Sequence, residues 1–135
     1  MTPRIKPQAN LLFRSLATGG AIELLYRIKD GEIRSEDLRE ESKLTRKQYY
    51  VRISQLIKEG IVRRKDGILN LTVFGKVIMQ TLETQEKAKE MGFRLRSLDL
   101  ILADKAMPDD VKLDMVTSLV PDREIQAMIL NGGRR

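Results

Sequence analysis

Apolar residues recur at helical spacing over most of the chain, and the intervals between runs carry turn chemistry. Across residues 11–29, Leu12, Leu16, Ala21, Leu24, Leu25 and Ile28 follow a helical period. Thr18-Gly19-Gly20 divides a short leading helix from the main one. After Asp30-Gly31, the run Glu32-Ile33-Arg34 has the length of a single edge strand. Ser35 reads as an N-cap for a short helix over 36–41, with Glu36 and Asp37 in the first turn, where the helix dipole favours acids. Ser42-Lys43-Leu44 forms a tight turn, and Thr45-x-x-Gln48 has the form of a capping box opening a helix to Glu59, closed by Gly60. Two helices joined by three residues make a helix-turn-helix pattern.

The period then changes. Ile61-Val62-Arg63-Arg64-Lys65 and Ile68-Leu69-Asn70-Leu71 flank Asp66-Gly67, a hairpin signal because both turn positions need positive φ. That turn sets Val62 opposite Leu71 and Arg63 opposite Asn70, with Arg63 and Lys65 pointing away from the core. Thr72 caps a further helix along which Phe74, Val77, Ile78, Thr81, Leu82, Gln85 and Ala88 keep helical spacing, and Gly75 in its first turn predicts close helix packing. Three more helices are expected over 93–106, 108–119 and 121–130, with Pro108 and Pro121 at first helical positions. The fold class is mainly α with a small two- or three-stranded β-wing: a winged helix-turn-helix followed by a helical C-terminal extension. Residues 1–10, with Pro3 and Pro7, read as a flexible N-terminal arm; residues 11–91 as the winged domain with its long last helix; residues 92–135 as a helical tail for dimerisation or a partner.

Composition narrows the function. The chain has no His, Cys or Trp, which removes disulfides, thiolate or imidazole metal sites and Ser-His or Cys-His relays. No catalytic residue, metal or cofactor is expected. Asp104, Asp109, Asp110 and Asp114 lack EF-hand order and read as ordinary acids near a helix start. Gly75-Lys76 is followed by Val77 where a phosphate loop requires Ser or Thr. No apolar run approaches the roughly 18 residues of a membrane span, and the N-terminus lacks a signal-peptide stretch, so a cytoplasmic protein is expected. The net charge is +6, unevenly spread: residues 1–78 hold 16 basic and 9 acidic side chains, residues 79–135 hold 9 and 10. Within 43–65 lie eight basic residues and the single acid Glu59, and a polyanion is the natural partner of that surface.

The segment from Leu44 to Val62, with Tyr49 and Ile53 at apolar positions and the ending Leu56-x-x-x-Gly60-Ile61-Val62, followed after the hairpin by Leu71-Thr72-x-x-Gly75-Lys76, resembles winged helix-turn-helix regulators. It is most similar to small archaeal winged-helix proteins, themselves distantly similar to the MarR and ArsR types. The resemblance covers about residues 21–82 and implies binding to double-stranded DNA, often as a homodimer.

On a helical wheel of about 100° per residue, Tyr49, Ile53 and Leu56 form one stripe with Ile57 beside it. A recognition helix enters the major groove with its N-terminal half, so Arg46, Lys47, Gln48, Tyr50 and Val51 are the base-facing candidates. Arg and Lys suit guanine, Gln suits adenine and Val51 suits a thymine methyl, although Gln48 has a competing role in the capping box. Lys43, Thr45, Arg52, Arg63, Arg64 and Lys65 are candidate phosphate contacts. The expected function is a sequence-specific DNA-binding transcriptional regulator, not an enzyme. The alternatives are a winged-helix interaction module of transcription or replication machinery and a non-specific nucleic-acid binder.

Overall fold

The structure, a computed structural model, describes residue 12 and residues 14–131. The expected arm over 1–10 lies outside the described residues. Residues 14–17 are helical, and Thr18-Gly19-Gly20 separates them from α1 (Ala21–Lys29). The chain continues through β1 (Ile33–Arg34), α2 (Ser35–Glu41), α3 (Arg46–Lys58), β2 (Val62–Lys65), β3 (Ile68–Leu71), α4 (Val73–Glu90), α5 (Gly92–Ala103), α6 (Asp109–Leu119) and α7 (Arg123–Asn131). Two compact units divide between Gln80 and Thr81, inside α4.

The core of the first unit is built from the apolar stripes of three helices: Leu24, Leu25 and Ile28 of α1, Leu38 of α2, and Tyr49, Ile53 and Leu56 of α3 are all buried. The α3 stripe is the one its sequence period predicts. Its capping box is complete, with the Thr45 hydroxyl accepting from the Gln48 amide at 3.2 Å and the Thr45 amide donating to Gln48 Oε1 at 3.0 Å. The hairpin also forms in the expected register, Val62 opposite Leu71 and Arg63 opposite Asn70. Asp66 and Gly67 hold φ of 54° and 77°, the left-handed pair that matches the turn to the twist of the strands. β1 pairs antiparallel with β3, so the sheet has three strands in the order β1-β3-β2.

Two local expectations fail for non-local reasons. Ser35 does not cap α2. The helix begins at Ser35 with Arg34 in the cap position and no side-chain cap bond, because the Ser35 hydroxyl is bonded to the Tyr49 hydroxyl at 2.9 Å. In α4 the buried positions are Gly75 and Met79, whereas Phe74 and Val77 are exposed. The rotation of the helix is set by Gly75, which lies against the Ile61 backbone. Thr72 fastens that contact: its amide donates to the Ile61 carbonyl at 3.0 Å, its hydroxyl donates to the Gly60 carbonyl and lies 3.1 Å from the Ile61 carbonyl, and the same hydroxyl accepts from the Gly75 amide at 2.9 Å.

The second unit has its own core of Leu98, Val116, Val120 and Ile125, with Ala88, Leu95 and Met115 packed on it. Its helix boundaries differ from expectation at three points. α5 stops at Ala103 because the Asp104 carboxylate accepts the Ala106 amide at 2.9 Å and turns the chain. Pro108 is the N-cap of α6, not its first helical residue. α7 starts at Arg123, two residues beyond Pro121, since Asp122 Oδ1 takes the Ile125 amide at 3.1 Å in the manner of an N-cap. That amide and the Lys87 ammonium, 3.1 Å from Oδ2, hold the Asp122 carboxyl below the usual carboxylate range. Among the described residues, no helix is long and apolar enough to cross a membrane.

Candidate nucleic-acid interface

α3 offers solvent the face opposite its buried stripe. Arg46, Lys47, Gln48, Tyr50 and Val51 are all exposed along its first half, so the five base-facing candidates lie on one accessible stretch. Tyr50 packs edge-on against buried Tyr49, with ring centroids 5.4 Å apart, and the Arg46 guanidinium lies 5.9 Å from the Tyr50 ring centre. An exposed arginine resting on an aromatic face keeps its charge while losing rotamer freedom, which prepares it for a planar acceptor edge. Gln48 has its amide oxygen committed to the cap and its amide nitrogen left to offer. Further along the same face, Tyr50, Val51, Ser54, Gln55 and Lys58 line a shallow depression of about 400 Å³.

The hairpin sorts its cations by strand alternation. Residues opposite each other share a face, so Val62 and Arg64 lie on the side of Leu71 and Leu69, while Arg63 and Lys65 lie with Asn70 and Ile68. Arg64 is thus separated from its two basic neighbours, although all three are exposed. β1 adds a cation that sequence reasoning missed. Arg34 stands opposite Ile68 and so on the face of Lys65, giving an outer face with Arg34, Arg63 and Lys65. The signal lay in the register of a two-residue strand, which no periodicity reveals.

Lys43 lines a cleft of about 590 Å³ together with Leu24, Leu38, Leu44 and the Arg27–Glu41 ion pair, whose partners are 3.1 Å apart. Arg52 is half-buried and donates through Nε to the Gly19 carbonyl at 2.9 Å, leaving its terminal nitrogens for a second acceptor. Thr45 is spent on the cap. Among the described residues, none of Lys43, Lys47, Arg63, Arg64 and Lys65 is held in an ion pair. Three helices, a short turn before the last of them, and a basic hairpin beyond it are now in place. The fold is a winged helix-turn-helix.

No protein-family model matches the chain, and no curated protein matches it. Among solved structures, a crystal structure of Bacillus subtilis PadR aligns over 94% of this chain and 98% of that one, at 15% identity and a TM-score of 0.41. The winged-helix assignment rests on the chain's own element order, register and caps.

Tyr49 links this surface to the core. Burial pushes its hydroxyl above the ordinary value of 10.0, against the opposing hydrogen bond with Ser35 and the nearby charges of Arg64 and Arg39. A group whose native value is raised gives stability that is fully present below the unfolded value and is lost as the pH climbs through the native one. Urea midpoints are therefore expected to fall more steeply above about pH 10 in the parent than in Tyr49→Phe, which has no buried phenol at this position to ionise. Equal alkaline slopes would contradict the buried hydroxyl.

Proposed function

We propose that the chain is a sequence-specific DNA-binding transcriptional regulator that acts as a homodimer, with α3 in the major groove and the wing on the backbone. The observation that carries this reading is the coincidence of two surfaces. The exposed half of α3 presents Arg46, Lys47, Tyr50 and Val51, and the wing's outer face presents Arg34, Arg63 and Lys65. Base edges are read by the former kind of side chain and phosphates by the latter. Lys43, Arg52 and Arg64 add phosphate contacts, and Thr45 supports the approach of the helix N-terminus, which favours an anion. The resemblance over about residues 21–82 to small archaeal winged-helix proteins, distantly similar to the MarR and ArsR types, supports this reading.

A second surface favours association with another chain. Val73, Phe74 and Val77 on the first turns of α4 are 80, 45 and 57% exposed, and a cluster of three large apolar residues on one helix face is a feature of partner surfaces. A second copy of the protein or a component of the transcription machinery would cover it. A homodimer would require a two-fold related DNA site.

Selection of bound sequences from a random duplex pool tests the assignment. The parent is expected to enrich a discrete motif with two related half-sites. Lys47→Ala should relax base preference at one position in each half, at a cost of about 1–3 kcal/mol in discrimination, while Arg63→Ala should weaken all sequences alike. Retention of the pool without enrichment would favour a non-specific binder; no retention would favour a protein-interaction module.

A further inference from the structure

One residue bonds to both of the elements whose exposed faces are assigned to DNA, the helix α3 and the hairpin. Ser35 opens α2, and all three of its polar groups are engaged across the fold. Its amide donates to the Gly67 carbonyl in the wing turn at 2.8 Å, continuing the β1–β3 ladder past Arg34 and Ile68. Its carbonyl lies 2.8 Å from the Tyr49 hydroxyl, and its own hydroxyl lies 2.9 Å from that same oxygen. The direction of these bonds follows from proton counting. Tyr49 has one hydroxyl proton and the Ser35 carbonyl can only accept, so the phenol donates to the carbonyl and the serine hydroxyl donates to the phenol oxygen. The whole arrangement is satisfied, and the Tyr49 side chain is fully buried.

We propose that Ser35 and Tyr49 form a strut that fixes the spacing between the recognition helix and the wing tip, and that simultaneous grip of the major groove and the flanking phosphates depends on it. This inference rests on the DNA-binding reading above. Tyr49 lies between Gln48 and Tyr50, so anchoring its ring end fixes the azimuth at which those two side chains leave the helix. Gly67 follows Asp66 at the tip of the hairpin that carries Arg63 and Lys65. Without the strut, α3 and the hairpin keep their own hydrogen bonds but lose the polar link that sets their separation. Ser35 and Tyr49 are positioning residues and touch no DNA themselves.

Salt titration separates a positioning role from a merely structural one, because the slope counts phosphates engaged at once. The full-length protein is titrated against a labelled duplex bearing the motif enriched from the random pool, or a generic duplex if none is enriched. Tyr49→Phe keeps the buried ring and deletes both hydroxyl bonds. It is expected to bind roughly five- to tenfold more weakly while remaining folded, with a log–log slope less negative by about 1 to 2. Arg63→Ala, expected to cost the parent roughly threefold to fivefold, should cost Tyr49→Phe less than about twofold, since the wing contact is already loose. Ser35→Ala, which removes one bond and leaves the ring untouched, should shift the slope in the same direction by a smaller amount, and it decides the matter if Tyr49→Phe fails to fold. An unchanged slope with an undiminished Arg63→Ala effect in whichever variant folds overturns the strut. A parent that binds no duplex overturns the DNA-binding reading, and the strut with it.

Discussion

Raising the salt from about 50 to 200 mM is expected to weaken binding to duplex DNA about a thousandfold. Each phosphate neutralised by Lys or Arg releases condensed counterions, giving a log–log slope of about −0.9 per contact. Lys43, Arg52, Arg63, Arg64 and Lys65, with Arg34 from the short edge strand, supply about six such contacts and a slope of about −5. The cations are available for this work: Arg34, Arg63 and Lys65 share the outer face of the sheet, and Arg52 keeps its terminal nitrogens free while Nε holds the Gly19 carbonyl. The double variant Arg63→Ala/Lys65→Ala should bring the slope to about −3 without altering base preference, because phosphate contacts position the protein and base edges specify it. A slope near zero in the parent removes the proposed function altogether.

The second large effect concerns stability. Gly75→Ala is expected to cost about 3 kcal/mol or more, lowering the melting temperature of the first unit by roughly 10 °C or more. A Cβ at this position would stand 2.0 Å from the Ile61 carbonyl oxygen and 3.0 Å from the carbonyl carbon. Both are backbone atoms, so no side chain can swing aside. Ile61 is fully buried, its carbonyl accepts the Thr72 amide, and the Thr72 hydroxyl is held between the Gly60 and Ile61 carbonyls, so relief would require breaking the cap of α4 or displacing the chain leading into β2. Gly92→Ala provides the contrast. A Cβ there meets nothing within 4 Å, and the backbone does not occupy the left-handed region, so the change should be neutral or stabilising by up to about 1 kcal/mol. Parallel thermal melts of the two variants check the pair. A Gly75→Ala protein as stable as the parent would show that α4 does not pack on Ile61 as described.

Where the sequence was legible, the deciding chemistry lay within a few residues. The Thr45–Gln48 box, the Asp66-Gly67 turn with the register it imposes, and the Tyr49, Ile53 and Leu56 stripe each follow from residues at most a few positions apart. Gly75 was legible as a close approach, though not the atom approached. Partners distant in sequence hid the rest. Ser35 has the local signature of a cap, but a hydroxyl 14 positions away captures its side chain. Arg34 reads as one cation beside a turn until β1 pairs with β3 and sets it with Lys65. The phase of α4 escaped because Phe74 and Val77 are apolar and exposed, and a hydropathy pattern cannot distinguish a core face from a face meant for another chain.

The placement of the tyrosines gives the molecule a built-in optical reporter. The chain has three tyrosines and no tryptophan, so ultraviolet emission comes from tyrosine alone. Two of the three sit side by side on α3, one fully buried and one 41% exposed beneath the Arg46 guanidinium. Light emitted by Tyr50 samples the surface where bases are expected to arrive, and light from Tyr49 samples the interior. Replacing either ring with Phe, against the shared emission of Tyr26, separates the two contributions, so events at the exposed face of α3 and integrity of the fold beneath it can be followed in unlabelled protein.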